Sequence, residues 1–192
     1  MIENQEELRR RLEESGALQQ GHFALSSGLH SGYYMQCALF LRFPGNASFA
    51  GKLLADSVRV LKPDFIVSPA LGGLIVGHEV ARHLCVPFIF CERREGLMQL
   101  KRFPHPDSGR FVVVEDVITT GGSSLETARV ILSKGKVFWA ATACIVDRSD
   151  GNACLPEPLI SLWNVSFPNY SPEDCPYCKQ GIPLTRPGSR NS

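Results

Sequence analysis

Apolar positions along this chain recur in two periods, and the periods alternate. Leu8 and Leu12 lie at i, i+4, which predicts a helix over residues 4–15. Asn4 reads as its N-cap, Glu7 stands three residues on, and Gly16 reads as its stop. Between Gln20 and Cys37, Phe23 and Leu25 alternate with polar residues, as do Tyr33 and Met35. That spacing predicts two short strands with a turn at Ser26-Ser27-Gly28. Pro44 and Gly45 read as a break, and Phe49, Leu53, Leu54, Val58 and Leu61 return to helical spacing.

From Asp64 onward, short apolar runs alternate with helical segments. A strand over 64–68, a turn over 69–73 and a helix over 74–84 are followed by a strand over 87–91. Residues 92–109 show no period and are rich in charge and proline; at about eighteen residues this is long for a loop, and such loops usually carry function. A β-branched run begins at Arg110, a helix follows over 125–134, and a strand over 137–146 ends at Asp147-Arg148. The remainder holds many prolines, with one candidate edge strand over 160–165 and an end, 186–192, that reads as loose. Apolar strands joined through helices predict an α/β fold with a central, mostly parallel sheet covered on both faces. In such sheets ligands bind outside the carboxyl ends of the strands. Three ends then face one crevice: Ser68–Gly73, Glu115–Ser123 and Asp147–Arg148.

Composition narrows the class. With 192 residues, 44% of them hydrophobic, one ordinary domain with a full core is expected. A net charge of +1 gives no global attraction to nucleic acid. No apolar run approaches the roughly 18 residues that cross a bilayer, and the first residues lack a basic and apolar leader, so a soluble, cytoplasmic protein is expected. Seven cysteines, several inside apolar runs, fit reduced buried thiols better than a disulfide framework.

The chemistry concentrates at residues 110–124. The backbone N–H groups of Thr119 to Ser123 open a helix, glycines 121 and 122 let the chain close around a phosphate, and Thr119, Thr120 and Ser123 add hydroxyl donors. Glu115 and Asp116 cannot also bind phosphate, because like charges repel. They suit neutral hydroxyls, such as those of a ribose. A sugar 5′-phosphate satisfies both halves. No Lys follows the glycines, which excludes a P-loop, and the acids precede the loop, which excludes the dinucleotide fingerprint. The plain alternative is a strand-to-helix turn with a solvated acidic pair.

Val112-Val-Val-Glu-Asp-Val-Ile-Thr-Thr-Gly-Gly-Ser123 resembles the phosphoribosyl pyrophosphate (PRPP) motif of the type I phosphoribosyltransferases. Residues 21–34, Ser68–Gly73, Glu92-Arg-Arg-Glu95 and Val146-Asp-Arg148 keep the order of the orotate phosphoribosyltransferases, over roughly residues 15–150. The resemblance implies one domain over 1–192, with its core at about 45–150 and a small hood from about 16–40 and parts of 152–185. It implies transfer of the phosphoribosyl group from PRPP to orotate, giving orotidine 5′-monophosphate and pyrophosphate in de novo pyrimidine synthesis. PRPP would lie on Glu115, Asp116, Val117, Ile118, Thr119, Thr120, Gly121, Gly122 and Ser123. Pyrophosphate would meet the turn at Ala70–Gly73. Mg²⁺ would arrive on PRPP, with no ligand supplied directly by protein side chains. Arg93, Arg94, Lys101 and Arg102 would sit on a closing loop that reaches a neighbouring subunit, implying a homodimer; Arg93, Arg94, Lys101 and Asp116 would be the catalytic residues. Arg148, with Thr119, would bind orotate, since a guanidinium matches a carboxylate in a bidentate way. Neither nucleic acid nor membrane is an implied partner.

Two departures stand out. Ser26 occupies a place where many members carry Lys, and Leu97, Met98 and Gln99 stand where Lys and His are common. The rivals are a phosphoribosyltransferase for another base and a PRPP-sensing regulator without catalysis. His22, His30 and His105 read as structural or solvated. Cys175-Pro-Tyr-Cys178 reads first as structural thiols. Zinc would need four ligands, with Cys154 a possible third and no fourth nearby in sequence, and a redox pair would be expected at a strand-to-helix start.

Overall fold

The computed structural model describes residues 2–25 and 27–187; Ser26 and the end of the 186–192 tail lie outside the described residues. The chain divides into two compact units, residues 41–165 and the two ends together, 1–40 with 166–192.

The larger unit is built on a six-stranded sheet in the order β5-β4-β3-β6-β7-β8. Strands β3 (Phe65–Pro69), β4 (Phe88–Arg94), β6 (Ser108–Ile118), β7 (Lys136–Asp147) and β8 (Leu159–Asn164) run parallel, and β5 (Leu97–Gln99) pairs antiparallel with β4. Helices α3 (Pro44–Val58) and α4 (Gly73–Leu84) pack together, and α5 (Gly122–Leu132) follows β6. The alternation of β6 explains the layering. Phe111 and Val113 pack with Phe65, Val67, Ala128, Ile131 and Trp139 on the α5 face. Val112 and Val114, fully buried, point to the opposite face, against α4. Burying each such side chain stabilises the fold by about 1.5–3 kcal/mol. The parallel α/β sheet is the fold expected from the alternating periods, and β8 is the edge strand expected at 160–165.

The smaller unit has α1 (Ile2–Glu14) and a three-stranded antiparallel sheet in the order β1-β2-β9. Its strands are β1 (Leu18–Ala24), β2 (His30–Met35) and β9 (Asn169–Tyr170), and a single turn, α6, spans Pro176–Lys179. Leu8 and Leu12 are fully buried. Gly16, at φ +74°, ends α1: its N–H donates to Glu13 O, and Ala17 N–H donates to Leu12 O. The short helix α2 (Cys37–Leu41) carries the chain from one unit into the next.

Several expectations give way. Asn4 is not an N-cap, because α1 already starts at Ile2. Pro44 does not break the chain but opens α3; at the first helical position its missing N–H would have had no partner anyway. The unpatterned stretch after Cys91 is not all loop. Strand β4 runs on to Arg94, turns through Glu95 and Gly96 at φ +51° and +81°, and returns as β5. Two positive φ values in a row match the twist of a two-residue hairpin. The elements α2, β9 and α6 are too short to leave a periodic signal. Among the described residues no helix is long and apolar enough to cross a membrane.

Candidate active site

The carboxyl ends of β3, β6 and β7 meet at one edge of the larger unit. Strand β6 carries both acids within itself rather than ending before them. Side chains alternate across a sheet, so Glu115 and Asp116 leave β6 on opposite faces. Glu115 turns to the α5 face, where Ser124 Oγ–H donates to its Oε1 at 2.6 Å. Asp116 turns to the α4 face and lies against Gly72; a Cβ built on Gly72 would come within 2.5 Å of Asp116 Oδ1. Only glycine lets the turn between β3 and α4 approach the acid this closely. Asp116 Oδ1 also accepts the N–H of Val117 at 2.9 Å.

Burial governs the charge of both acids. Glu115 is 9% exposed, and burial pushes its carboxyl up to about 7, with Ser124's hydrogen bond opposing and the Asp116 charge reinforcing the rise. The carboxyl of Asp116 is also raised, chiefly by burial, against the hydrogen bond from Val117. Two partly desolvated acids side by side suit partners that donate hydrogen bonds or carry a cation.

The anion loop follows directly. Thr119 and Thr120 are exposed. Gly121 adopts φ +79° as the N-cap of α5, with Leu155 packed so close that an added Cβ would meet its Cγ at 2.9 Å. Helix α5 starts at Gly122, three residues before the expected Leu125, so Gly122 and Ser123 belong to its first turn. Their N–H groups are among those with no partner inside the helix, and the helix dipole adds partial positive charge there. Cys154 N–H donates to Thr120 O at 2.9 Å, which anchors the loop from the far side.

Strand β7 delivers Asp147, and Arg148 follows it. Arg148 N–H donates to Ile118 O at 2.8 Å, which sets Arg148 beside Thr119 at the end of the neighbouring strand. Ser149 N–H donates to Asp147 Oδ1 at 2.8 Å and shapes the turn. Ala70 N–H donates to Cys91 O at 2.7 Å, which ties the turn after β3 to β4.

The basic residues are arranged differently from a loose loop. Arg93 is in β4, pairs with Glu126 of α5 at 2.6 Å and donates to Gly96 O at 2.8 Å. Arg94 and Arg102 both reach Glu92, at 3.2 and 3.1 Å. Those guanidiniums hold the Glu92 carboxyl below the usual range, Arg102 most strongly. Lys101 is exposed. Two of the four cations thus lie in the β4–β5 hairpin, and Arg102, beyond it, pairs back to it through Glu92. Ser26 lies outside the described residues. Sequence reasoning missed the pairing of Glu115 with Ser124 and the contact of Gly72 with Asp116; each joins residues whose proximity depends on how helices sit on the sheet.

An acidic strand end, a hydroxyl-rich loop and a helix N-terminus thus lie together at the carboxyl edge of a parallel α/β sheet. A model of the phosphoribosyl transferase domain matches residues 45–169, and the chain belongs to the phosphoribosyltransferase family. Within the family it is similar to orotate phosphoribosyltransferases. That of Thermotoga petrophila is 45% identical over 184 residues, covering 93% of this chain and 96% of the relative. That of Chlorobaculum parvum is 44% identical over 179 residues, 93% of this chain and 92% of the relative. The crystal structure of the Aeropyrum pernix orotate phosphoribosyltransferase superposes with a TM-score of 0.72 at 30% identity, covering 82% of this chain and 93% of that one.

Proposed function

We propose that this protein is an orotate phosphoribosyltransferase, which transfers the 5-phosphoribosyl group of PRPP to orotate in de novo pyrimidine synthesis. The observation that carries the reading is the meeting of three strand ends: Asp116 against Gly72, and Arg148 held on Ile118 beside Thr119. The 5′-phosphate of PRPP lies on the N–H groups and hydroxyls of Thr119, Thr120, Gly121, Gly122 and Ser123. Val117 and Ile118 supply the backbone that leads into this cradle. Glu115 and Asp116 accept hydrogen bonds from the ribose hydroxyls. The turn at Ala70–Gly73 receives the pyrophosphate.

The reaction breaks the bond from the anomeric carbon to pyrophosphate and forms a bond from that carbon to a ring nitrogen of orotate, whose proton is released. Positive charge develops on the sugar and negative charge on the leaving group. Asp116, close to the turn that holds pyrophosphate, stabilises the sugar cation. Arg93, Arg94 and Lys101, with Arg102, supply positive charge toward the departing pyrophosphate and exclude water. The guanidinium of Arg148 and the hydroxyl of Thr119 orient the orotate carboxylate and ring. Glu115 and Asp116 are hard oxygen donors beside a phosphate cradle, and burial leaves them in need of a cation or donor. This fits Mg²⁺ carried in on PRPP, which neutralises phosphate charge when bound. A homodimer belongs to this reading, with the basic segment of one chain serving a neighbour's crevice. Seven cysteines outside any disulfide suit a reducing cytoplasm.

Turnover assays with Mg²⁺ and PRPP decide it. Orotate is expected to be consumed, and uracil, adenine, guanine and hypoxanthine are not. Arg148→Ala is expected to raise KM for orotate by about 10- to 100-fold, the loss of a charge-assisted bidentate contact worth about 1.5–3 kcal/mol, with KM for PRPP little changed. PRPP binding without turnover of any base would instead mark a sensor.

A further inference from the structure

The unit formed by the two chain ends carries a second constellation, remote in sequence from the motif over residues 112–123. His22 Nε2, His30 Nδ1, Cys175 Sγ and Cys178 Sγ all lie within 4.8 Å of one another. The two imidazole nitrogens are 3.0 Å apart. Cys175 Sγ is 3.4 Å from His22 Nε2, and Cys178 Sγ is 3.6 Å from His22 Nε2 and 3.3 Å from His30 Nδ1. A tetrahedral ion with bonds of about 2.3 Å to sulfur and about 2.0–2.1 Å to nitrogen would hold such atoms roughly 3.3–3.8 Å apart. The three sulfur-to-nitrogen separations lie in that range, and the two nitrogens, at 3.0 Å, are slightly closer. We propose that these four side chains bind one structural Zn²⁺ in Cys2His2 coordination, clamping the C-terminal segment to the β1–β2 hairpin.

The backbone is shaped for this. Strand β1 pairs Gln20 with Tyr33 and then Phe23 with Ser31, so an extra residue bulges between them. Had the first register continued, His22 would face Ser31 and lie on the side of the sheet away from His30. The bulge moves His22 by one position and brings both rings to one face. Cys175 and Cys178 come from the knuckle that opens α6, where Lys179 N–H donates to Cys175 O and Gly181 N–H to Cys178 O. Gly181 has φ +68° and turns the chain back. His22 Nδ1–H donates to Ile182 O at 2.8 Å. Since a carbonyl only accepts, the proton sits on Nδ1 and leaves the Nε2 lone pair for a metal. A carbonyl that orients a ligating histidine in this way is the usual outer partner of a zinc site. Tyr177 stacks on the His22 ring at a centroid distance of 5.6 Å and shields it.

The chemistry selects the ion. Two sulfur and two imidazole ligands in a tetrahedral arrangement favour zinc over hard, oxygen-seeking cations. Two thiolates and two neutral imidazoles also cancel the charge of Zn²⁺, so burial is tolerated; His22 is 3%, His30 7% and Cys175 0% exposed. With four protein ligands the site is closed, which makes it structural rather than catalytic. The segment it holds has almost no buried core of its own. Among the described residues of 166–187 only Cys175 is buried. Its other ties include two paired residues in β9, the backbone hydrogen bonds of Thr185 with His22 and Ala24, the hydrogen bond of Ser31 to Pro168 O and the stacking of Phe167 on Tyr33. Small units with a thin core commonly rely on such a metal staple.

Metal analysis of the full chain, purified under reducing conditions without chelator, is expected to find one zinc per chain. Protein stripped of metal and titrated with Co²⁺ should bind one equivalent and develop the visible bands of tetrahedral cobalt with sulfur-to-metal charge transfer. Cys178→Ser lies at the surface and should fold; it should weaken binding by about 100-fold or more, beyond the 10- to 100-fold typical of losing an outer partner, and reduce the charge-transfer band. Cys154→Ser, outside the site, should change neither. Chelation should expose Lys179 to trypsin. Folded, reduced protein that gives no cobalt bands would overturn the proposal. So would metal retained equally by Cys175→Ser and Cys178→Ser, or a Cys175–Cys178 disulfide in the purified chain.

Discussion

At the scale of single residues, the site is governed by what burial does to charge. Glu115's carboxyl is held up to about 7, against 4.5 for an ordinary glutamate. The native state therefore keeps this proton where the unfolded chain has lost it. The stability it contributes is full below about pH 4.5 and is lost as pH rises through about 7. Glu115→Gln keeps an acceptor for Ser124 and cannot ionise. Relative to the parent, the variant is expected to gain up to about 3 kcal/mol of stability between about pH 4 and pH 8, while its PRPP affinity falls. Denaturant midpoints at both pH values check this; a pH-independent difference would contradict it. Gly72 is sensitive for a steric reason. In Gly72→Ala the new Cβ needs the space of the Asp116 carboxylate. Overpacking costs about 1–3 kcal/mol, and kcat should drop with KM for orotate little changed, because the proposed mechanism sets the displaced groups at the leaving pyrophosphate. The motif was legible around these residues, but their partners were not. Ser124 follows Glu115 by nine positions, and nothing in that spacing signals a hydrogen bond until α5 is laid on the sheet.

At the scale of elements, the hairpin β4–β5 changes how the basic residues are understood. Charge and proline in residues 92–109 concealed a two-residue turn at Glu95–Gly96, because one glycine beside a charged residue is a weak turn signal. The hairpin aligns Arg93 with Glu126, and Glu92 with Arg94 and Arg102. These exposed pairs contribute little to stability; they fix where the guanidiniums sit. Gly96 has open space around it but φ of +81°. Gly96→Ala is therefore expected to cost about 1–2 kcal/mol through backbone strain alone, confined to the hairpin. Amide exchange over residues 92–99 should accelerate, with the global unfolding midpoint nearly unchanged. The longer elements were legible for the opposite reason. Strands β3, β6 and β7 and helices α3, α4 and α5 each bury an apolar face, and that burial imposes a period on the sequence. Boundaries near the site moved most: β6 carries the acids and α5 begins at Gly122, where function and not core packing chooses the residues.

At the scale of the whole molecule, the proposed homodimer has a direct test. If the cations on and just after the hairpin serve a neighbour's crevice, Lys101→Ala and Arg148→Ala disable different halves of a shared site. Mixed and refolded together, two impaired variants should recover roughly a quarter of the parental activity by random pairing of subunits; mixtures no better than either variant alone would mean that each chain completes its own site. The sequence by itself determined the parallel α/β sheet, the strand–loop–helix motif and the family, because core periodicity and a contiguous motif are local properties of the chain. Tertiary structure decided which distant residues meet. It set Asp116 under Gly72 and Arg148 beside Thr119, and it joined His22 and His30 to Cys175 and Cys178 across some 150 residues. The last of these was out of reach of sequence spacing, since a one-residue bulge in β1 chooses the face of His22. Within the motif over residues 112–123, tertiary structure drew both acids inside strand β6 and divided them between the two faces of the sheet.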